Sequence, residues 1–373
     1  MKVLLVATVS TTINTFLIPH IKKISEQGHK VDIACNITDN LDSELVEVID
    51  NVYDIPFQRT IFNKGNYDAY KKVNKIFKSN NYDYFITNTA IASAITRLAG
   101  IKYKKNLKSI YICHGFSFCK GSSLSSWIKF YSIEAILGKF TNHIITINQE
   151  DFERAKKFNK SVFKVHGVGV DTSKYKNPNA DIVNNLKDEF KSDSDDKLII
   201  SVGELSDRKN HIAIIKAISE IKNDKLRYII CGTGPLQEKL QNYIDSKDLQ
   251  NKISLLGFRK DISELLKISD MFAFPSLSEG LGMAGIEAMA AGVPLLTSDR
   301  HGIKEYAIHD STAYTADPSD IESIKIGINK ILFNSQYSQM LSANGIKKSE
   351  EFSLSNSINE LSTVFEKIFN KDF

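Results

Sequence analysis

Cysteine is scarce and unpatterned in this chain. The four residues Cys35, Cys113, Cys119 and Cys231 form no C-x-x-C pair, and no Cys/His cluster has zinc spacing. A disulfide scaffold and a zinc module are thereby excluded, and the cysteines read as reduced, buried thiols of an intracellular protein. No apolar run approaches the ~18 residues of a membrane-crossing helix. The opening Met1-Lys2-Val3-Leu4-Leu5-Val6-Ala7 superficially resembles a signal peptide. It is short, however, and runs into Ser10-Thr11-Thr12 without a cleavage signature, so it reads as a buried first strand and the expected location is cytoplasmic. Charge of one sign is not in excess: 48 Lys and Arg against 44 Asp and Glu give +4. That argues against nucleic acid as a partner and leaves room for an anionic ligand or a weakly anionic surface. The turn after the first strand, residues 8–14, contains no glycine. It therefore lacks the G-x-G-x-x-G fingerprint, which speaks against a dehydrogenase. Solenoid-length repeats and long low-complexity tracts are missing too.

What is present is an alternation of apolar, β-rich runs with helix-period segments. Residues 2–7 are followed by residues 14–27, where Phe16, Leu17, Ile21 and Ile24 fall at helical spacing and Gly28 ends the pattern. Strands are predicted at residues 31–35, 84–87, 109–113, 143–147 and 162–165. The series then restarts with strands at 197–202, 226–231, 253–256, 271–274 and 293–297, and a helix at 209–221. Strands alternating with helices predict parallel sheets covered on both faces. Two series predict an α/β protein of two Rossmann-like lobes facing across a cleft. The seam falls in the polar stretch between Gly167 and Asp196, and residues 353–373 form a terminal amphipathic helix expected to pack back toward the first lobe.

Ligands of open α/β sheets bind beyond the carboxyl ends of the strands. Nine of the 19 glycines lie between Gly203 and Gly302, mostly just after predicted strands, where backbone can approach a phosphate. The most informative segment runs from Phe274-Pro275-Ser276-Leu277-Ser278-Glu279 through Gly280-Leu281-Gly282-Met283 to Glu287. It follows a strand and opens a helix poor in side chains, an anion site by virtue of its N–H groups and dipole. Seven residues separate Glu279 from Glu287, a spacing that arises about once by chance among 19 glutamates. Context carries the weight instead: diphosphate on the helix start, one carboxylate for sugar hydroxyls, the other for ribose hydroxyls.

This segment resembles the E-x7-E region of retaining glycosyltransferase family 4, which has the GT-B fold. The resemblance extends along nearly the whole chain. Ser201-Val202-Gly203-Glu204-Leu205-Ser206-Asp207-Arg208-Lys209-Asn210-His211 resembles the family's glycine-to-lysine phosphate loop. Cys231-Gly232-Thr233-Gly234-Pro235 resembles its G-x-G-P turn, and Leu256-Gly257-Phe258-Arg259 the loop that meets the base. Cys113-His114-Gly115-Phe116 resembles the first-lobe histidine motif, and the run from His114 through Asn148 resembles the capsular and exopolysaccharide branch.

The resemblance implies a metal-independent, retaining hexosyl- or N-acetylhexosaminyltransferase. It implies a nucleotide-sugar donor, a UDP-sugar, and a lipid-linked glycan acceptor in bacterial surface polysaccharide synthesis. No cofactor or metal is expected. Residues 1–168 with 353–373 would bind acceptor, and residues 169–352 the nucleotide sugar. Lys209 would hold diphosphate, Glu279 the donor sugar, Glu287 the ribose, and His114 would lie near the transferred sugar. Gly203, Gly234, Phe258, Gly280, Leu281, Gly282 and Met283 complete the donor contacts. One departure stands out: many family members have arginine where this chain has Glu204, so Arg208 or Arg259 is left to compensate. A bland alternative for Arg208-Lys209 is a solvated pair at a helix start, but cations there oppose the dipole.

Asp193-Ser194-Asp195 is a D-x-D string in a polar connection, read as solvated loop instead of a metal site. Asp171 reads as a hinge or cap. Residues 122–140 interleave Leu124, Trp127, Ile128, Phe130, Tyr131, Ile133, Ile136 and Leu137 with Lys120, Lys129 and Lys139. Such a helix suits peripheral contact with the inner face of the plasma membrane, against the alternative of a core helix favoured by Glu134 interrupting the basic face. Two other functions share these features: a GT-B sugar-nucleotide 2-epimerase and a non-catalytic nucleotide-sugar-binding protein.

Overall fold

The structure, a computed structural model, describes residues 1–58, 60, 63–191, 193 and 195–372. The chain divides into two compact units, Met1–Gly169 with Ser355–Phe373, and Val170–Leu354. The boundaries fall one and two residues beyond those expected at 168 and 353. The reason is local: Val170 N donates to Phe352 O (2.9 Å) and Leu354 N to Val170 O (2.8 Å), which keeps both chain crossings paired within the second unit.

The first unit contains β1 (Lys2–Val9), β2 (Lys30–Asn36), β3 (Val52–Asp54), β4 (Tyr84–Thr87), β5 (Lys108–Cys113), β6 (His143–Thr146) and β7 (Val162–Lys164). They form one parallel sheet in the order β3-β2-β1-β4-β5-β6-β7. The second unit contains β8 (Lys197–Val202), β9 (Leu226–Cys231), β10 (Ile253–Gly257), β11 (Met271–Phe274), β12 (Leu295–Ser298) and β13 (Tyr314–Ala316). These are also parallel, in the order β10-β9-β8-β11-β12-β13. Helices cover both faces, so central strands such as β1 are buried at nearly every residue and read as continuous apolar runs. Fully burying each Ile, Val or Leu stabilises by about 1.5–3 kcal/mol.

β3 and β13 escape a periodicity reading because each has three residues at a sheet edge. The helix expected at 209–221 begins later, at His211–Glu220, because Asn210 has φ 58° and cannot continue a right-handed helix. The helix expected from residue 14 starts sooner. It comprises Ser10–Thr12, a π-turn at Ile13–Leu17 and Ile18–Glu26.

The terminal helix Leu354–Asp372 belongs to the first unit from Ser355 onward. Gln27 donates to Ser362 (2.8 Å), Glu360 pairs with His166 (2.6 Å), and the Phe369 ring packs on Tyr84 at 4.7 Å. Residue 373, at the end of the expected tail, lies outside the described residues, as does Ser194 of the D-x-D string. Asp193 and Asp195 pair with Lys225 at 3.4 and 2.8 Å. Asp171 caps the short turn Thr172–Tyr175 by accepting from Ser173 N at 3.2 Å.

The first unit also buries an ion pair. Arg97 Nη2 donates to both oxygens of Glu134 (2.9 and 2.8 Å), and its guanidinium lies 4.1 Å from the Tyr111 ring centroid. Glu134 thus faces inward and does not interrupt the exposed basic face of its helix. Removing one member leaves the other charged and buried. Glu134→Ala is expected to cost about 3–5 kcal/mol, and Arg97→Met with Glu134→Leu much less. Urea denaturation checks this; a single variant as stable as the native chain would contradict it.

Candidate donor site

Every loop of the candidate site leaves the carboxyl end of a strand in the second unit. Residues 203–210 follow β8, 232–236 follow β9, 258–261 follow β10 and 275–282 follow β11. Side-chain amides and backbone lock the first and last of these together. Asn210 Nδ2 donates to Pro275 O (3.2 Å) and Pro318 O (2.8 Å), and Leu277 N donates to Arg208 O (2.8 Å). The first two loops are fused equally closely. A Cβ on Gly232 would stand 1.9 Å from Gly203 O, so only glycine permits that approach.

This framework brings Arg208, Lys209 and Glu279 together. Glu279 Oε1 lies 2.5 Å from Arg208 Nη1 and 2.8 Å from Lys209 Nζ. Arg208 Nη1 also donates to Ser278 O (3.1 Å), and Lys209 Nζ stands 4.6 Å from the centre of the Phe274 ring. Glu279 is only 8% exposed. Burial alone would raise its carboxyl, but the charges of Lys209 and Arg208 and their hydrogen bonds outweigh it and hold the group below the usual range. Burial dominates at Lys209 and lowers its ammonium, opposed by Glu279.

The helix of this segment is Met283–Ala290, so it begins four residues later than an opening after Ser278 would place it. Residues 275–282 form a loop that carries Glu279. Gly282 is the N-cap, at φ 82°, and no side chain caps the helix. Its first-turn N–H groups are therefore not taken up by a capping hydroxyl or carboxylate. A Cβ at Gly282 would meet Phe274 at 2.9 Å, and Tyr306 Oη donates to Gly282 O (3.0 Å) from below. Gly280 and Leu281 complete the loop, the Leu281 side chain buried. Glu287 lies one turn into the helix. Burial raises its carboxyl, against a hydrogen bond from Tyr175 and the charge of Lys174.

Gly234 packs against the Leu205 backbone, placing the two loops side by side. Phe258 is 74% exposed at the end of β10, a free aromatic face. Arg259 is held by Asp261 through two bonds (2.8 and 2.5 Å). Of the two arginines that could offset Glu204, Arg208 shares the Glu279 carboxylate with Lys209, whereas Arg259 pairs with Asp261. Sequence reasoning missed Asn210 and Tyr306, which tie and support the loops. An asparagine just before an apolar helical run was the available signal for the former.

His114 belongs to the first unit, immediately after β5. Burial, with a smaller contribution from His20, lowers its imidazole from 6.5 to about 4. Its Nε2 lies 3.4 Å from Asn88 Oδ1. The following Phe116 N donates to Asp151 Oδ2 (3.0 Å), anchoring the loop. Among the described residues, no group of three or more His, Cys, Asp or Glu is placed to hold a metal ion.

Two parallel α/β units with this loop set define a glycosyltransferase of GT-B type. The Glycosyltransferase Family 4 model matches residues 14–174, and the model for glycosyl transferases group 1 matches residues 183–348. The chain therefore belongs to the family 4 glycosyltransferases. It is 27% identical over 377 residues to the protein named glycosyltransferase EpsD of Bacillus subtilis (strain 168), covering 100% of this chain and 98% of that one. It is 28% identical over 264 residues to the UDP-Gal:alpha-D-GlcNAc-diphosphoundecaprenol alpha-1,3-galactosyltransferase of Escherichia coli, covering 67% of this chain and 66% of that protein. The solved structure of Anabaena Alr3699/HepE in complex with UDP and glucose shares the fold, with TM-score 0.80 and 17% identity over 98% of this chain and 100% of that one.

The partly buried imidazole generates a direct expectation. Histidine NMR across pH should find His114 titrating near 4 and neutral throughout the range above 5. A midpoint near the ordinary 6.5 would contradict this account of its surroundings.

Proposed function

We propose that this enzyme transfers a sugar, with retention of configuration, from a UDP-sugar to a lipid-linked oligosaccharide in bacterial surface polysaccharide synthesis. The observation that carries the reading is the buried Glu279, paired with the half-buried Lys209 and the exposed Arg208, beside the uncapped start of helix Met283–Ala290. The names of relatives support the details. The Escherichia coli relative is named for a UDP-Gal donor and a diphosphoundecaprenol-linked acceptor.

In this reading Lys209 and Arg208 hold the diphosphate, one as a point charge and the other as a fork. The N–H groups of Gly282 and Met283 add the partial positive charge of a helix start. Glu279, ionised and fixed by those cations, accepts hydroxyls of the donor sugar. Glu287 accepts ribose hydroxyls, and Phe258 offers its face to the base. Gly203, Gly234 and Gly280 keep side chains away from the nucleotide. The charge that develops on the leaving UDP is met by groups already in place, so the enzyme works by positioning and electrostatic stabilisation. The reading calls for no metal, since these cations supply the counter-charge. His114 contributes a neutral imidazole to the transferred sugar. The leaving phosphate takes the acceptor proton on the face where attack occurs.

Purified enzyme with radiolabelled UDP-sugars and lipid-linked acceptors tests this. Lys209→Ala should weaken UDP binding about tenfold or more, and Glu279→Ala should lower transfer roughly 100-fold. Unchanged binding and turnover in both would defeat the reading, as would an epimerised sugar released without acceptor.

The acceptor's lipid anchor calls for a membrane-facing surface. No helix among the described residues is long and apolar enough to cross a membrane. The segment Leu124–Ser126, Trp127–Tyr131 and Ser132–Gly138 exposes Leu124, Ile128 and Ile136, with Phe140 just beyond. Lys120, Lys129 and Lys139 are exposed among them, and Lys104 Nζ lies 5.8 Å from the Phe140 ring. With Glu134 turned inward onto Arg97, this face carries positive charge and apolar side chains, the chemistry of an anionic lipid surface. Sedimentation with phosphatidylglycerol vesicles should capture the enzyme, and neutral vesicles should not. Lys129→Glu with Lys139→Glu should weaken capture at least roughly fivefold per lysine. Equal binding by native and reversed proteins would remove this surface from the reading.

A further inference from the structure

We propose that Asn88 sets the orientation and tautomer of His114, and so is a positioning residue for sugar transfer. The inference rests on the reading that His114 meets the donor sugar. Asn88 directly follows β4, and its N–H donates to Val6 O on neighbouring β1 (3.0 Å), so its backbone is fixed as an extension of the sheet. β4 and β5 pair in parallel through Thr87 and Tyr111, which brings the residues beyond both strand ends to the same edge. There Asn88 Oδ1 lies 3.4 Å from His114 Nε2. That is long for a hydrogen bond, as such contacts often are before substrate tightens a site.

Burial makes the asparagine unusual. Asn88 is 1% exposed and shares its surroundings with Leu5, Leu17, Ile86 and Ile112. Its Nδ2 has no hydrogen-bond partner among the described residues. A buried amide with unmet donors is costly, and an apolar side chain would serve packing better. Among the described residues its one side-chain partner is the imidazole, which points to a role there.

The chemistry of that role follows from hydrogen-bond capacity. A neutral imidazole carries one N–H, and an amide oxygen can only accept. In the amide orientation of the structure, with Oδ1 toward the ring, the proposal assigns the proton to Nε2 and leaves Nδ1 as an acceptor for a hydroxyl of the transferred sugar. The titratable group that acts on His114 is His20 on the helix Ile18–Glu26; Cys113 precedes it on β5, and Asp151 is engaged by Phe116 N and Asn148 Nδ2. His20 is itself held by Val168 O at 2.9 Å and kept neutral by burial. Asn88 is the group left to choose the tautomer.

The test uses the full chain with ¹⁵N-labelled histidine, comparing the native enzyme, Asn88→Ala, the near-isosteric Asn88→Asp and His114→Ala. Native His114 should show the Nε2–H tautomer, and Asn88→Ala a mixture of both. Asn88→Asp should raise the His114 midpoint by placing a carboxylate beside it, so that transfer falls as pH drops through the new midpoint. Asn88→Ala should lower kcat about tenfold while leaving UDP affinity unchanged. A native tautomer retained in Asn88→Ala, or an unmoved midpoint in Asn88→Asp, would overturn the inference. Full turnover in His114→Ala would instead defeat the role of His114, and the two failures are distinguishable because the NMR readout needs no turnover.

Discussion

The second unit is organised around one buried carboxylate. Glu279 sits in a loop with few side chains, nearly out of water, and an isolated ionised carboxylate there would be strongly unfavourable. Two cations resolve the problem by converging on the same oxygen, Arg208 at 2.5 Å and Lys209 at 2.8 Å. The arrangement needs residues some seventy positions apart to meet with little slack. The bonds of Asn210 to Pro275 and of Leu277 to Arg208 meet that requirement. The triad is therefore both a structural solution and a set of charges held ready for an anionic, hydroxyl-rich ligand.

Parallel α/β geometry supplies the place for it. Each loop of the site begins where a buried strand ends, and the strands are held in register by neighbours on both sides. Their carboxyl ends thus form a rigid rim from which short, glycine-rich turns project. Helix Met283–Ala290 then directs its uncapped start at the same region. Charge of both signs is brought to one point by elements that do not themselves have to move.

The first unit uses the same architecture differently. Its polar groups are paired inside: Glu134 with Arg97, Asp151 with the loop after His114, and Asn88 with His114 itself. Burial lowers the imidazole that results to about 4, which favours its neutral form. Turning Glu134 inward also leaves the outer face of its helix apolar and basic.

How much of this could be read from the residues varies by feature. Alternating runs such as KVLLVATV and KLIISV announce two parallel sheets because strands buried on both faces must be apolar throughout. The glycines and Glu279 are recognisable because close backbone approach leaves a compositional mark. β3 and β13 are too short to show a period, and the true starts of helices His211–Glu220 and Met283–Ala290 depend on the left-handed Asn210 and Gly282. Local pattern thus determined the elements, the class of fold and the candidate residues, since propensity and burial act over a few positions. Only the tertiary structure decided that Arg208 and Lys209 converge on Glu279, that Glu134 faces Arg97, and that Asn88 meets His114. Those outcomes depend on which distant side chains share one buried space, and nothing in the order of residues along the chain specifies that distance.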